Sequence, residues 1–277
     1  MAPLAAAPHA LLERLATLAD CQNAGDYACI TARREHGASS VEIPRPQFAI
    51  LLQGRKHVRT AQQTLELAPG DLFLITRRCR IDVVNVPDPD SGLYLSAIVP
   101  LCAEVLAATR SLWSGPLPDA GDPLARLSLA AHGTELLQWR QALEHGDYTA
   151  ARLALATMTV AFCASGHGSL LVAPEPGLGE RIRDLVAAQP GRSWQSRDFE
   201  QHLGISGATL RRRLASERLG LRELIGDARL AQAMQLLYTT RLPLKTVAAR
   251  VGYRSLSSFS RRFCERYGMD PSAIGNH

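Results

Sequence analysis

The sequence predicts an α+β chain of two domains: a strand-rich N-terminal half, then an all-α domain with two helix-turn-helix units joined by a long helix. Three observations predict it. The chain has 277 residues, against ~150 for a typical single domain. Short β-branched or apolar runs at roughly ten-residue spacing occupy residues 27–99, the pattern of a sandwich or small barrel. One short helical pattern occurs twice within the last hundred residues.

In chain order, Tyr27–Arg33, Phe48–Leu52, Thr64–Leu67, Leu72–Ile75, Ile81–Val86 and Leu93–Val99 read as strands. Turn material such as Pro69-Gly70-Asp71 and Pro87-Asp88-Pro89-Asp90-Ser91-Gly92 separates them. Alternation sends Phe48, Ile50 and Leu52 to one face and Ala49, Leu51 and Gln53 to the other, and either face could line a barrel. From residue 100 to about 165, Leu136, Leu137 and Leu143, then Leu153, Thr157, Val160 and Ala161, recur at helical spacing. His145-Gly146-Asp147 is the tight turn of an antiparallel helix pair, which either covers the strands or forms a homodimer face. Gly and Pro cluster from Gly166 to Gly177, as in an interdomain linker. The expected division is therefore 1–165, a linker at 166–177, and 178–277. Beyond it, Ile182, Leu185 and Val186 mark a helix stopped by Pro190-Gly191. A longer one, Leu221–Tyr238, carries the stripe Leu224, Ile225, Ala228, Ala231 and Leu237.

Hydrophobic residues make up 46% and charged residues 21% of the chain, which excludes wholesale disorder. No unbroken apolar run reaches the ~18 residues of a membrane helix. The Ala-rich start lacks a basic region and is interrupted by Glu13-Arg14, unlike a secretory signal. Six cysteines at 21, 29, 79, 102, 163 and 264 form no C-x-x-C pair. They read as reduced thiols of a cytoplasmic protein, not as a disulfide or zinc framework. Residues 1–177 carry 14 Lys and Arg against 17 Asp and Glu, whereas residues 178–277 carry 17 against 9, a net +8. The basic C-terminal domain calls for a polyanionic partner, nucleic acid or a membrane surface.

The repeat identifies which. Its first copy runs from Asp198 through Leu203-Gly204-Ile205-Ser206 to Leu210 and Leu214. Its second runs from Thr246-Val247-Ala248 through Gly252-Tyr253 to Phe259 and Phe263. The turn glycines are 48 residues apart and the apolar pairs 49. Glycine accepts the positive φ of a tight turn between steeply crossed helices. Ser206 and Ser255 stand where an N-cap hydroxyl meets free amides. Burying Leu210/Leu214 and Phe259/Phe263 turns the opposite faces outward. Those faces offer Ala208, Arg211, Arg212 and Ala215 in one copy, and Leu256, Ser257, Ser260 and Arg261 in the other. Small residues beside arginine suit a helix in the major groove, where guanidinium bonds guanine edges.

Residues 178–277 resemble the DNA-binding domain of AraC/XylS-type bacterial transcription regulators. The resemblance rests on Leu203-Gly204-Ile205-Ser206 with Leu210-Arg211-Arg212-Arg213-Leu214, and on Arg229-Leu230-Ala231-Gln232-Ala233-Met234-Gln235-Leu236-Leu237. It continues in Val247-Ala248, in Gly252-Tyr253 through Phe259-Ser260-Arg261-Arg262-Phe263, and in Tyr267-Gly268-Met269-Asp270-Pro271. It implies a seven-helix domain with two recognition helices in adjacent major-groove segments. The base contacts it implies fall on Ala208, Arg211, Arg212, Leu256, Ser257, Ser260 and Arg261. Two positions depart from the family. Glu200 replaces the usual alanine four residues before the first glycine, which calls for a partner such as Arg197 or a recognition-helix arginine. Ala273-Ile274 replaces the usual Tyr-Arg. Phe48 through Lys56, with Leu67 through Ile75, resembles the family's cupin-like sensor domain. That implies a small β-barrel holding an effector, with trailing helices for dimerisation.

A metal-dependent cupin enzyme fused to a DNA-binding module is the alternative, but such barrels need converging histidines and His57 stands alone. No nucleophile elbow or P-loop appears. The basic residues lie on recognition-helix faces rather than along one amphipathic stripe, which disfavours a membrane partner. The expectation is a cytoplasmic transcription regulator without cofactor, catalysis or metal, an activator by resemblance. It would bind double-stranded promoter DNA, work with RNA polymerase, and respond through its N-terminal half to a small-molecule effector or a partner protein.

Overall fold

The computed structural model describes residues 8–20, 27–118, 122–172 and 177–274. Cys21, residues 173–176 of the expected linker and the chain after Ile274 lie outside these. The chain divides into two compact units, Met1–Ala173 and Pro174–His277.

The first unit opens with helix α1 (Pro8–Ala16) and continues through β1 (Ala28–Ala32), β2 (His36–Ile43), β3 (Gln47–Gln53), β4 (Arg55–Arg59) and β5 (Thr64–Leu67). Then come β6 (Asp71–Ile75), β7 (Cys79–Val86), β8 (Tyr94–Pro100), α2 (Ala103–Leu112), β9 (Leu124–Ser128), α3 (Gly133–Glu144) and α4 (Tyr148–Phe162). The strands form two antiparallel sheets, ordered β1-β8-β3-β6-β9 and β2-β7-β4-β5. This corrects the expected cupin-like β-barrel: among the described residues no strand pair joins the sheets, and each keeps two open edges. The physical reason is the path of the chain. Most connections carry it from one sheet to the other, so strands adjacent in sequence are seldom adjacent in space. The sharpest corner is Gly54, the single residue between β3 and β4, with φ +82°. A Cβ there would lie 2.5 Å from the Val86 carbonyl oxygen.

The central strands of the first sheet, β3, β6 and β8, are buried on both faces. Phe48, Ile50, Leu52, Leu72, Leu74, Leu95, Ala97 and Val99 pack against Leu11 and Leu15 of α1, Val105 of α2, Leu136 and Trp139 of α3, and Leu155 and Phe162 of α4. The helices therefore cover this face, and the Ala49/Leu51 side turns toward the second sheet. Tyr148–Leu171 is long and apolar enough by composition to cross a membrane, yet more than half of it is buried in this core. The second sheet is half-exposed. His57 sits on its outer face, 3.5 Å from Glu66. Strands β2, β4 and β9 escape the periodicity reading: β4 is Arg-Lys-His-Val-Arg, whose inward positions are Lys56 and Val58.

The second unit contains α5 (Leu178–Ala188), α6 (Ser196–Leu203), α7 (Gly207–Ser216), α8 (Leu221–Thr239), α9 (Leu244–Arg250) and α10 (Leu256–Tyr267), closed by a 3-10 turn at Pro271–Ala273. Leu178, Ile182, Val186, Phe199, Leu210, Leu214, Leu224 and Ala228 form one core from α5 to α8. The Glu217 carboxylate accepts from the Leu178 and Gly179 amides at 3.3 and 3.2 Å, which caps α5 from beyond α7.

Burial lowers the His36 and His132 pKa values below the ordinary 6.5. An unfolded chain takes up protons near 6.5 that these folded imidazoles refuse, so stability falls as pH drops below 6.5 through the folded values. Thermal melts of the full-length protein should show a midpoint that declines from pH 7 to pH 5. His132→Phe, which keeps the edge-on packing against Phe162, should flatten the decline; a midpoint level across this range in the wild type contradicts the account.

Candidate nucleic-acid interface

Each helix-turn-helix is built by local chemistry. Gly204 (φ +64°) ends α6, and the Ser206 hydroxyl then caps α7 by accepting from the Thr209 amide at 3.2 Å. In the second unit Gly252 (φ +84°) follows α9, and the Ser255 hydroxyl accepts from the Ser258 amide at 3.3 Å. Leu210 and Leu214 anchor α7, and Phe259 and Phe263 anchor α10, all buried. That packing leaves Ala208, Arg211 and Arg212 exposed on α7. On α10 it exposes Leu256, Ser257 and Arg261, with Ser260 half-buried. Arg261 has only a loose contact with Glu265 at 3.9 Å, both side chains being solvated, a pairing weak enough to yield to a ligand. The other α10 arginines are turned elsewhere: Arg266 pairs with Asp227 at 3.4 Å, and Arg262 lies over Gly226.

Two features carry little sequence signal. One is Arg229 of α8, whose Nε and Nη2 donate to the Pro190 and Arg192 carbonyls at 2.9 and 2.8 Å. A Cβ on Gly252 would lie 3.0 Å from the same guanidinium and 2.9 Å from the Pro190 oxygen. One side chain thus joins the α5–α6 connection to the second turn.

The other is the accommodation of Glu200. Its carboxylate accepts from the Ser196 hydroxyl at 3.0 Å rather than from the arginines expected to pair with it. A Cβ added to Gly207 would lie 2.6 Å from Glu200 Oε1, so the larger residue on α6 is matched by the smallest on α7. The equivalent pair in the second copy is reversed in size, Ala248 and Leu256. Beside it, the Gln195 amide and the Arg192 guanidinium hold the Asp198 carboxyl below the usual carboxylate range.

Residues 200–276 match the family model described as a helix-turn-helix domain. The chain is 24% identical over 224 residues to the virulence regulon transcriptional activator VirF of Shigella flexneri, covering 77% of this chain and 85% of that protein. It is 33% identical over 137 residues to the ornithine utilization regulator of Pseudomonas aeruginosa, covering 48% and 40% of the two. Its fold is similar to that of ToxT from Vibrio cholerae, solved with an unsaturated fatty acid bound: TM-score 0.63, 16% identity, covering 89% of this chain and 92% of that one. The second unit is thus similar in sequence to the helix-turn-helix domains of transcription regulators.

Gly207→Ala should push the Glu200 carboxylate off the Ser196 hydroxyl and destabilise the second unit by about 0.5–1.5 kcal/mol, the worth of that hydrogen bond. The double variant Glu200→Ala, Gly207→Ala should recover most of that loss; denaturant melts showing no recovery would disprove the size match. Arg261→Ala should relax preference at one or two base pairs, at about 1–3 kcal/mol of discrimination. Uniform weakening across a randomised duplex library would make Arg261 a phosphate contact instead.

Proposed function

We propose that this chain is a cytoplasmic, sequence-specific transcriptional activator of the AraC type whose two recognition helices, α7 and α10, read adjacent major-groove segments of promoter DNA. The observation that carries the reading is the pair of capped turns presenting Arg211, Arg212 and Arg261 on exposed helix faces of one compact unit. In this reading these arginines take guanine edges, and Ala208, Leu256, Ser257 and Ser260 make the close or apolar contacts. The spacing supports it: α8 has 19 residues and at 1.5 Å per residue spans about 28 Å, comparable with the ~34 Å of one DNA turn. The VirF likeness favours activation, with RNA polymerase as the protein partner. The likeness to a fatty-acid-bound ToxT favours a small effector acting through the first unit, and the α3–α4 pair is the candidate homodimer face.

Five base pairs inserted between the two half-sites would turn one away from the protein by half a helical turn. Tight binding should be lost in gel-shift titrations, and unchanged binding defeats the two-groove arrangement. For control, an effector shifts output only through its different affinities for the two states. A promoter reporter driven by full-length protein should respond to added cell-extract fractions, while one driven by residues 178–277 should not. Identical behaviour of the two leaves the first unit a docking or dimerisation module.

A further inference from the structure

The two helix-turn-helix pairs of the second unit meet along α8, but their apolar packing is divided. Among the described residues, the core that holds α6 and α7 draws its side chains from residues 178–228, and none comes from α9 or α10. Nor does α8 run on into α9. Residues 240–243 separate them without helical structure, and Thr240 is extended at φ −134° and ψ 161°. A stiff α8 therefore does not by itself fix where α10 points. Contacts made across the unit must do so.

Those contacts converge on one short turn, Pro190-Gly191-Arg192, between α5 and α6. Arg229, half-buried on α8, donates Nε to the Pro190 carbonyl and Nη2 to the Arg192 carbonyl at 2.9 and 2.8 Å. The same turn meets the second helix-turn-helix directly. The Pro190 oxygen lies 2.9 Å from where a Cβ on Gly252 would be, and a Cβ on Gly191 would lie 3.0 Å from the Arg250 carbonyl oxygen. The turn is also tied to the first pair. The Arg192 guanidinium donates to Asp198 Oδ1 at 2.6 Å, and Asp198 Oδ2 accepts from the Gln195 amide at 2.7 Å, where α6 begins. One stretch of backbone thus touches the entry to α6 and the turn between α9 and α10, and Arg229 holds it to their common helix.

Two parallel bonds from one charged fork resist both sliding and rotation, which a single point charge does not. Inserting one base pair moves a half-site by about 3.4 Å along the duplex and about 35° around it. Backbones packed at van der Waals distance do not yield by that much. A unit braced in this way accepts one spacing.

We propose that Arg229, by holding the Pro190-Gly191-Arg192 turn against Gly252, sets the distance and phase between α7 and α10 and so selects the spacing of the two half-sites. Arg229 is a positioning residue, acting through the turn and not on a base. The proposal rests on the reading that both helices enter the major groove.

Full-length wild type selects a bipartite sequence from a randomised duplex library. Gel-shift titrations then use that duplex with the gap between half-sites changed by one or two base pairs in either direction. Wild type should lose about tenfold in affinity or more per base pair, because the contacts of one helix are misplaced. Arg229→Lys keeps the charge and cannot span both carbonyls. It should bind gaps one base pair longer or shorter within about threefold of the selected one, with an unchanged salt dependence. Arg229→Met should flatten the profile further; where thermal melts show it unfolded at the assay temperature, Arg229→Lys decides. A merely stabilising Arg229 would lower affinity by one factor at every gap and leave the profile sharp. A phosphate contact would reduce the salt slope of Arg229→Met by about 0.9 and also leave it sharp. Either result overturns the proposal. A wild type that selects a single half-site, or is indifferent to the gap, overturns the two-groove reading and the proposal with it. A sharp wild-type optimum kept by the folded variants overturns the proposal alone.

Discussion

The geometry of the second unit depends on one guanidinium. Arg229 takes two carbonyls of the α5–α6 connection and lies against the Gly252 turn, so the first half of the unit and the second helix-turn-helix are referenced to the same point on α8. A planar, always-charged group with a rigid fork of donors suits that task better than lysine would. Three residues earlier, Gly226 makes room for Arg262, and Asp227 holds Arg266. Arginines that a charge count would assign to DNA therefore serve two purposes. Arg266 ties α10 to α8 through Asp227 and Arg262 lies against Gly226, whereas Arg261 stands on the exposed face of α10.

The two helix-turn-helix copies solve one packing problem in opposite ways. Crossing helices near a glycine turn leaves a limited volume between them, and the side chains there must sum to it. The second copy places Ala248 on the first helix. The first copy places Glu200 there, satisfies its carboxylate with Ser196, and removes the side chain at 207. Glu200 thus faces Gly207 across the turn with its carboxylate bonded to Ser196.

In the first unit the governing constraint is that the central sheet must be covered twice, by helices on one face and by the second sheet on the other. A chain that crosses between sheets at Gly54 and at later turns satisfies this without closing a barrel. It also carries polar residues of β2, β4, β7 and β8 into the interior, where they meet as a hydrogen-bonded cluster. Arg78 of the arginine-rich 77–80 run is meanwhile held by Glu42 at Nε, 2.9 Å away.

What the sequence by itself determined is local. Turn glycines, N-cap serines and apolar pairs four residues apart act over one or two helical turns, so both helix-turn-helix units and the outward positions of Arg211, Arg212 and Arg261 could be read directly. Most strands could be read too, but not which strands pair. Alternation is the same in a closed barrel and in two facing sheets, and β4 hid because its inward position is a lysine. Only the tertiary structure decided that Lys56 meets Asn85 and Tyr94, that Glu200 faces Gly207, and that Arg229 reaches back to Pro190. Each of these contacts depends on how distant or crossing segments pack, and residue spacing along the chain carries no record of that.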